Sequence, residues 1–98
     1  MDLEISSSAI TWFKDEIGVK EGEKVRFYPK FYGSSPMQEG YSLGFSKDDE
    51  PIQIHVSKEV DGILFYVEED DIWFFNDHDL HVEYHEETDE LEYKYPKH

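Results

Sequence analysis

The sequence predicts a strand-dominated α+β domain with an N-terminal helix, a second short helix and a C-terminal hairpin. Three observations carry this. Helical periodicity is confined to the stretch before Gly18. Beyond it, apolar residues recur at every second position, the spacing of one strand face. The length, 98 residues, fits a single core and a single domain, 1–98.

The first helix is expected over residues 6–17. Ile10, Phe13 and Ile17 fall at i, i+3 and i+7 and make one apolar stripe. Ser6 can cap its start, and Gly18 can take the left-handed conformation that ends it. Trp12 lies off the stripe and should pack at its edge. In residues 24–32, Val25, Phe27 and Phe31 alternate with Arg26, Lys30 and Tyr32, a strand pattern. Pro29 cannot donate a ladder bond, which places that strand at an edge or a bulge. A Gly/Ser/Pro loop, 33–40, leads to a strand marked by Tyr41, Leu43 and Phe45, and then to another marked by Ile52, Ile54 and Val56. Asp61-Gly62 is a turn signal, and residues 63–67 are apolar throughout, as a strand buried on both faces would be. Four acids, 68–71, precede Ile72-Trp73-Phe74-Phe75 and suit the first turn of a short helix, which Asn76-Asp77 breaks. Residues 79–85 and 90–95 read as a hairpin around a turn over 86–89, with Leu80, Val82 and Tyr84 set to pair with Leu91, Tyr93 and Tyr95.

Composition narrows function. The cysteine count is 0, which removes disulfides, thiolate zinc sites, cysteine nucleophiles and thiolate-bound clusters together, and suits a reducing compartment. Nine Lys+Arg against 24 Asp+Glu give a net charge of −15. That field repels phosphate backbones and anionic lipid, so neither nucleic acid nor membrane is an expected partner, whereas a basic protein is attracted. The opening Met1-Asp2-Leu3-Glu4-Ile5 lacks the basic and apolar regions of a secretory signal, and the longest apolar run, 72–75, is far too short for a bilayer. A cytoplasmic protein is expected.

The order of motifs resembles the HesB/IscA-like family, the A-type iron–sulfur carriers. Ile5-Ser6 before the helix is similar to the family's start. Val25-Arg26-Phe27 leading to Gly33-Ser34-Ser35 and Tyr41-Ser42-Leu43 resembles its strand, Gly-Cys-Ser-Gly loop and tyrosine-bearing strand. Residues 62–67 running into Asp71-Ile72-Trp73-Phe74-Phe75 resemble its buried strand and short helix, and Leu80-His81-Val82-Glu83-Tyr84 resembles a later strand. The resemblance implies a strand-rich pseudobarrel flanked by helices, and a family role in assembling or delivering iron–sulfur clusters. Family carriers use three cysteines, one in the loop and a Cys-Gly-Cys pair near the C-terminus. Here Ser34 stands at the loop position, Pro36 replaces a glycine, and the sequence reaches His98 without the pair. A serine hydroxyl is hard and stays protonated, so no iron–sulfur cluster is expected.

Three sets of residues are candidates. The loop Gly33, Ser34, Ser35, Pro36, Met37, Gln38, Glu39, Gly40 is either a strand connection or a partner-binding loop, with Gly33, Ser34, Ser35, Met37 and Glu39 as its contact residues. His81, Glu83 and His85 alternate on one strand face, with Asp79, and two imidazoles plus a carboxylate could hold a divalent metal weakly. The same residues also read as the solvated face of a hairpin. Asp48-Asp49-Glu50 and residues 86–90 read as solvated acidic turns. No Gly-x-Ser-x-Gly elbow or phosphate loop appears, so an enzyme is not expected. The sequence therefore points to a HesB/IscA-like accessory or interaction protein without cluster ligands, linked by its resemblance to iron–sulfur assembly. A divalent-metal protein using His and carboxylate is the alternative.

Overall fold

The computed structural model describes residues 1–47 and 50–98. Asp48 and Asp49, two of the three acids in the first acidic turn, lie outside the described residues. Helix α1 (Ser7–Trp12) follows β1 (Leu3–Ile5). The remaining strands are β2 (Lys24–Lys30), β3 (Ser42–Lys47), β4 (Ile54–Val60), β5 (Ile63–Glu68), β6 (Leu80–His85) and β7 (Glu90–Lys94). They form one sheet in the order β3-β2-β5-β4 and a second in the order β1-β6-β7. Strands outweigh helix, as the alternating pattern requires. Among the described residues no helix is long and apolar enough to cross a membrane.

The first helix starts where its cap residue dictates. Ser6 is extended, and its Oγ accepts the Ala9 N–H at 3.1 Å. A single α-helix over 6–17 is corrected, however: after Trp12 the backbone widens into a π-helical turn, Phe13–Ile17, which Gly18 closes at φ 76°. The wider turn seats Phe13 fully inside while Ile17 stays only partly buried. Phe13 is the hub of the core, with the rings of Phe45, Phe65 and Phe27 at 5.0, 5.4 and 6.1 Å, mostly edge-on. Trp12 packs at the edge, stacked on Tyr84 at 5.9 Å, and so ties α1 to the second sheet.

Strand β5 is a central strand, with β2 and β4 pairing along its two edges. Ile63, Phe65, Tyr66 and Val67 are all buried. Asp61 and Gly62, at φ 53° and 77°, make the two-residue turn that joins β4 to β5, with Val60 opposite Ile63. Strand β2 pairs with β3 from Val25 to Lys30 but with β5 only from Lys24 to Phe27, so Pro29 sits where one neighbour remains. The alternation expected through Tyr32 stops at Lys30: past Phe27 no β5 residue flanks the strand, and Phe31 is 72% exposed. Strand β4 likewise begins at Ile54, not Ile52. The buried Glu68 carboxylate accepts the N–H groups of Ile52 and Gln53, each at 2.8 Å, and bends that segment out of the ladder. Ile52 is left 92% exposed.

The acids 68–71 do precede a short helix, the 3-10 segment Glu69–Phe75, and Asn76 and Asp77 end it at φ 46° and 63°. Two of them are buried and engaged: Glu68 as above, and Asp71, which pairs with Arg26 at 2.8 Å. The hairpin β6–β7 sets Val82 opposite Tyr93 and Tyr84 opposite Leu91. Strand β1, parallel to β6 through Leu3–Leu80, completes this sheet.

Candidate functional site

The loop 33–40 is shaped by its glycines. Gly33 and Gly40 lie at φ 88° and 84°, and a Cβ on Gly33 would meet Ser42 Oγ at 3.2 Å. Ser42 Oγ donates to the Tyr32 carbonyl at 2.7 Å, and Ser35 Oγ accepts the Gln38 N–H at 3.1 Å, so the loop is braced at its base and within. Ser34 and Glu39 face solvent, Ser35 is half-buried, and Met37 turns inward against the edge of the core. The loop thus acts as a strand connection and also displays a polar surface. Ser34 offers an exposed hydroxyl in a chain with no cysteine, a donor set that does not fit an iron–sulfur cluster.

Around this loop lies a feature the sequence reading missed. Tyr32, Phe31, Tyr41 and Trp73 form a row of edge-to-face rings, with successive centroids 6.0, 5.6 and 5.1 Å apart. The signal was present in the aromatic pairs bracketing the glycine loop, but it was absorbed into strand alternation.

The metal candidate is rearranged by the strand register. Glu83 lies directly opposite Glu92, and His85 Nε2 meets Glu92 Oε1 at 2.5 Å. The possible ligand atoms of Glu83, His85 and Glu92 lie within 4.8 Å of one another. His81 is not part of this group; it stands between Glu4 and Lys94 in the ladders. Lys94 also reaches Glu83 at 3.3 Å and competes for its carboxylate. A second group joins Asp2, Asp79 and His98. The Asp79 carboxylate accepts the Asp2 N–H and faces His98 Nδ1, both at 2.8 Å. The Asp2 N–H lowers its pKa, with burial opposing and His98 assisting.

Beside this group is a cavity of about 200 Å³ lined by Met1, His55, Ile72, Phe75, Asp77, His78 and His98. It gathers three histidines far apart in sequence. Each is held by a local acceptor through Nδ1: His55 by Glu69 at 3.0 Å, His78 by the Asn76 carbonyl at 2.8 Å, and His98 by Asp79. Among the described residues, four side chains have ionisation displaced from its ordinary range. Asp79 goes down, Tyr84 goes up to about 12 through its 2.6 Å bond to Asp89, and Tyr93 and Tyr95 go up through burial.

No protein-family model matches the chain. It is 42% identical to the pyruvate dehydrogenase inhibitor of Bacillus subtilis over 97% of this chain and 99% of that protein. An uncharacterised protein of Staphylococcus saprophyticus is 35% identical over 95% of this chain and 97% of its own length. One from Staphylococcus haemolyticus is 30% identical over 95% and 96%. Among solved structures, Escherichia coli SufA, described as involved in biosynthesis of iron–sulfur clusters, matches with a TM-score of 0.63 and 19% identity, over 96% of this chain and 78% of SufA. That likeness supports the fold: an α+β, HesB/IscA-like arrangement.

Proposed function

The chain belongs to the family of the Bacillus subtilis pyruvate dehydrogenase inhibitor, and on that premise we propose that it is a non-catalytic protein that binds and inhibits pyruvate dehydrogenase. The observation that carries the reading is the 42% identity spread over 99% of the relative, so every part of the relative's sequence has a counterpart here. Inhibition by binding needs a stable surface and no reaction centre. On this reading the chain works in the cytoplasm, carries no iron–sulfur cluster, and keeps the carriers' fold as a scaffold for contact. Its charge of −15 favours a partner with a basic surface.

The test is a titration of the host's purified pyruvate dehydrogenase with the purified chain. Saturable inhibition at a fixed stoichiometry is expected, and unchanged pyruvate oxidation with the chain in large excess would refute the reading. One observation favours a second property: the Glu83, His85, Glu92 grouping supplies nitrogen and oxygen ligands for weak capture of a divalent cation.

A further inference from the structure

Large aromatic side chains rarely stay in water as a contiguous row; where they do, they mark contact surfaces. Phe31 is 72% exposed, Tyr32 82% and Trp73 47%, and Tyr41 links them edge-to-face into one strip. The backbone beneath the strip is tethered at two points. Tyr32 is held through its carbonyl by Ser42 at 2.7 Å. Trp73 rides on the 3-10 segment between the buried Phe74 and the Asp71–Arg26 pair, and the Gln38 side-chain amide reaches its carbonyl at 3.5 Å. A tethered backbone reduces the ordering that binding requires, and Trp and Tyr are among the residues most often found at the energetic centres of interfaces.

On its Trp73 and loop side the strip is flanked by negative charge, while the exposed Lys30 precedes Phe31. In a 3-10 helix, residues three apart stand one above the other, which sets the exposed Asp70 over Trp73. Glu39, also exposed, lies on the loop next to Gln38. A second copy of this chain would bring another −15 against these acids, so self-association through the strip is disfavoured.

We propose that the strip Tyr32, Phe31, Tyr41 and Trp73 is the surface by which the chain docks on pyruvate dehydrogenase, into an apolar pocket rimmed by Lys and Arg. This rests on the inhibitory role proposed above. The rings fill the pocket, and Asp70 and Glu39 meet the basic rim. Encounter is then salt-dependent, while the lifetime of the complex depends on the rings.

The experiment measures binding to immobilised, purified host pyruvate dehydrogenase, alongside inhibition, for the wild type, the Phe31→Ala/Tyr32→Ala double variant, Trp73→Ala, Asp70→Lys and a control, Glu86→Gln, on the β6–β7 turn. Thermal melts confirm that each variant folds; the Phe31→Ala/Tyr32→Ala and Asp70→Lys variants should melt near the wild type, and Trp73→Ala somewhat lower because Trp73 also packs on Tyr41 and Phe74. Each aromatic variant should weaken binding about tenfold or more, mainly through faster dissociation. Asp70→Lys should slow association, and Glu86→Gln should behave as wild type. Wild-type binding retained by the folded aromatic variants overturns the docking surface and leaves the inhibitory function standing. A wild type that neither binds nor inhibits removes that function itself. Sedimentation showing a wild-type dimer that the aromatic variants dissolve would assign the strip to self-association and refute the proposal.

Discussion

Replacing Phe13 by alanine tests the architecture at its centre. The ring is 0% exposed and has four aromatic neighbours at 5.0 to 6.1 Å: Phe45, Trp12, Phe65 and Phe27. Removing a buried phenyl group costs ~3–5 kcal/mol in lost transfer energy and cavity formation. Several edge-to-face contacts vanish with it, each contributing about 0.5–1.5 kcal/mol in favourable cases, so the upper part of that range is expected. A domain of this size has roughly 5–15 kcal/mol in all, so the variant should be close to unfolding at room temperature. At about 4–8 °C per kcal/mol, the midpoint should fall by roughly 15–40 °C. Urea unfolding followed by Trp fluorescence suits the question, because Trp12 touches the ring directly at 5.2 Å. Phe13→Leu, which keeps most of the volume, should lose only ~1–1.5 kcal/mol. A loss below ~1 kcal/mol for the alanine variant would show that Phe13 is not the hub and that the π-helical turn has another cause.

Acid stability should report Asp79. Its folded pKa lies below the ordinary 3.8, chiefly through the Asp2 N–H, so its contribution is present above that value and is lost as pH falls through the folded pKa. Asp79→Asn should therefore be less stable than the wild type at pH 7, with the gap closing in strong acid; a gap constant with pH would contradict this. Anaerobic incubation with ferrous iron and sulfide should leave no visible absorption or bound sulfide after desalting, and Ser34→Cys should not change that. Recovery of stoichiometric sulfide would overturn the donor argument. Calorimetric titration with zinc should give weak heats that survive His81→Ala and drop in His85→Ala; loss in His81→Ala alone would mean the register-based grouping is wrong.

Much of the fold was legible because it is written in local chemistry. Ser6 and Gly18 mark the helical segment, Asp61-Gly62 marks the turn into β5, and the uninterrupted apolar run 63–67 marks a strand covered on both faces. What stayed hidden depends on who the neighbours are. Three residues are too few to show a period, so β1 is visible only through its pairing with β6. Phe31 reads as core until the extent of the β2–β5 pairing is known, and Ile52 reads as strand until Glu68 is seen pulling its N–H aside. The same holds for the sites. Alternation puts His81, Glu83 and His85 on one face, but only the register reveals that Glu92 joins the last two. The aromatic strip draws on both ends of the β2–β3 connection and on the 3-10 segment, and the histidine cavity draws on residues from 1 to 98. Neither has a sequence spacing that could announce it.

The central claim is inhibition by direct binding, and it is tested most directly by one titration. Increasing amounts of the purified chain are added to a fixed concentration of the host's pyruvate dehydrogenase, and the initial rate of pyruvate oxidation is followed at low and high salt. The account predicts saturable loss of activity, with a midpoint that moves to higher inhibitor concentration as salt rises. Full activity at every ratio and both salt concentrations would contradict it.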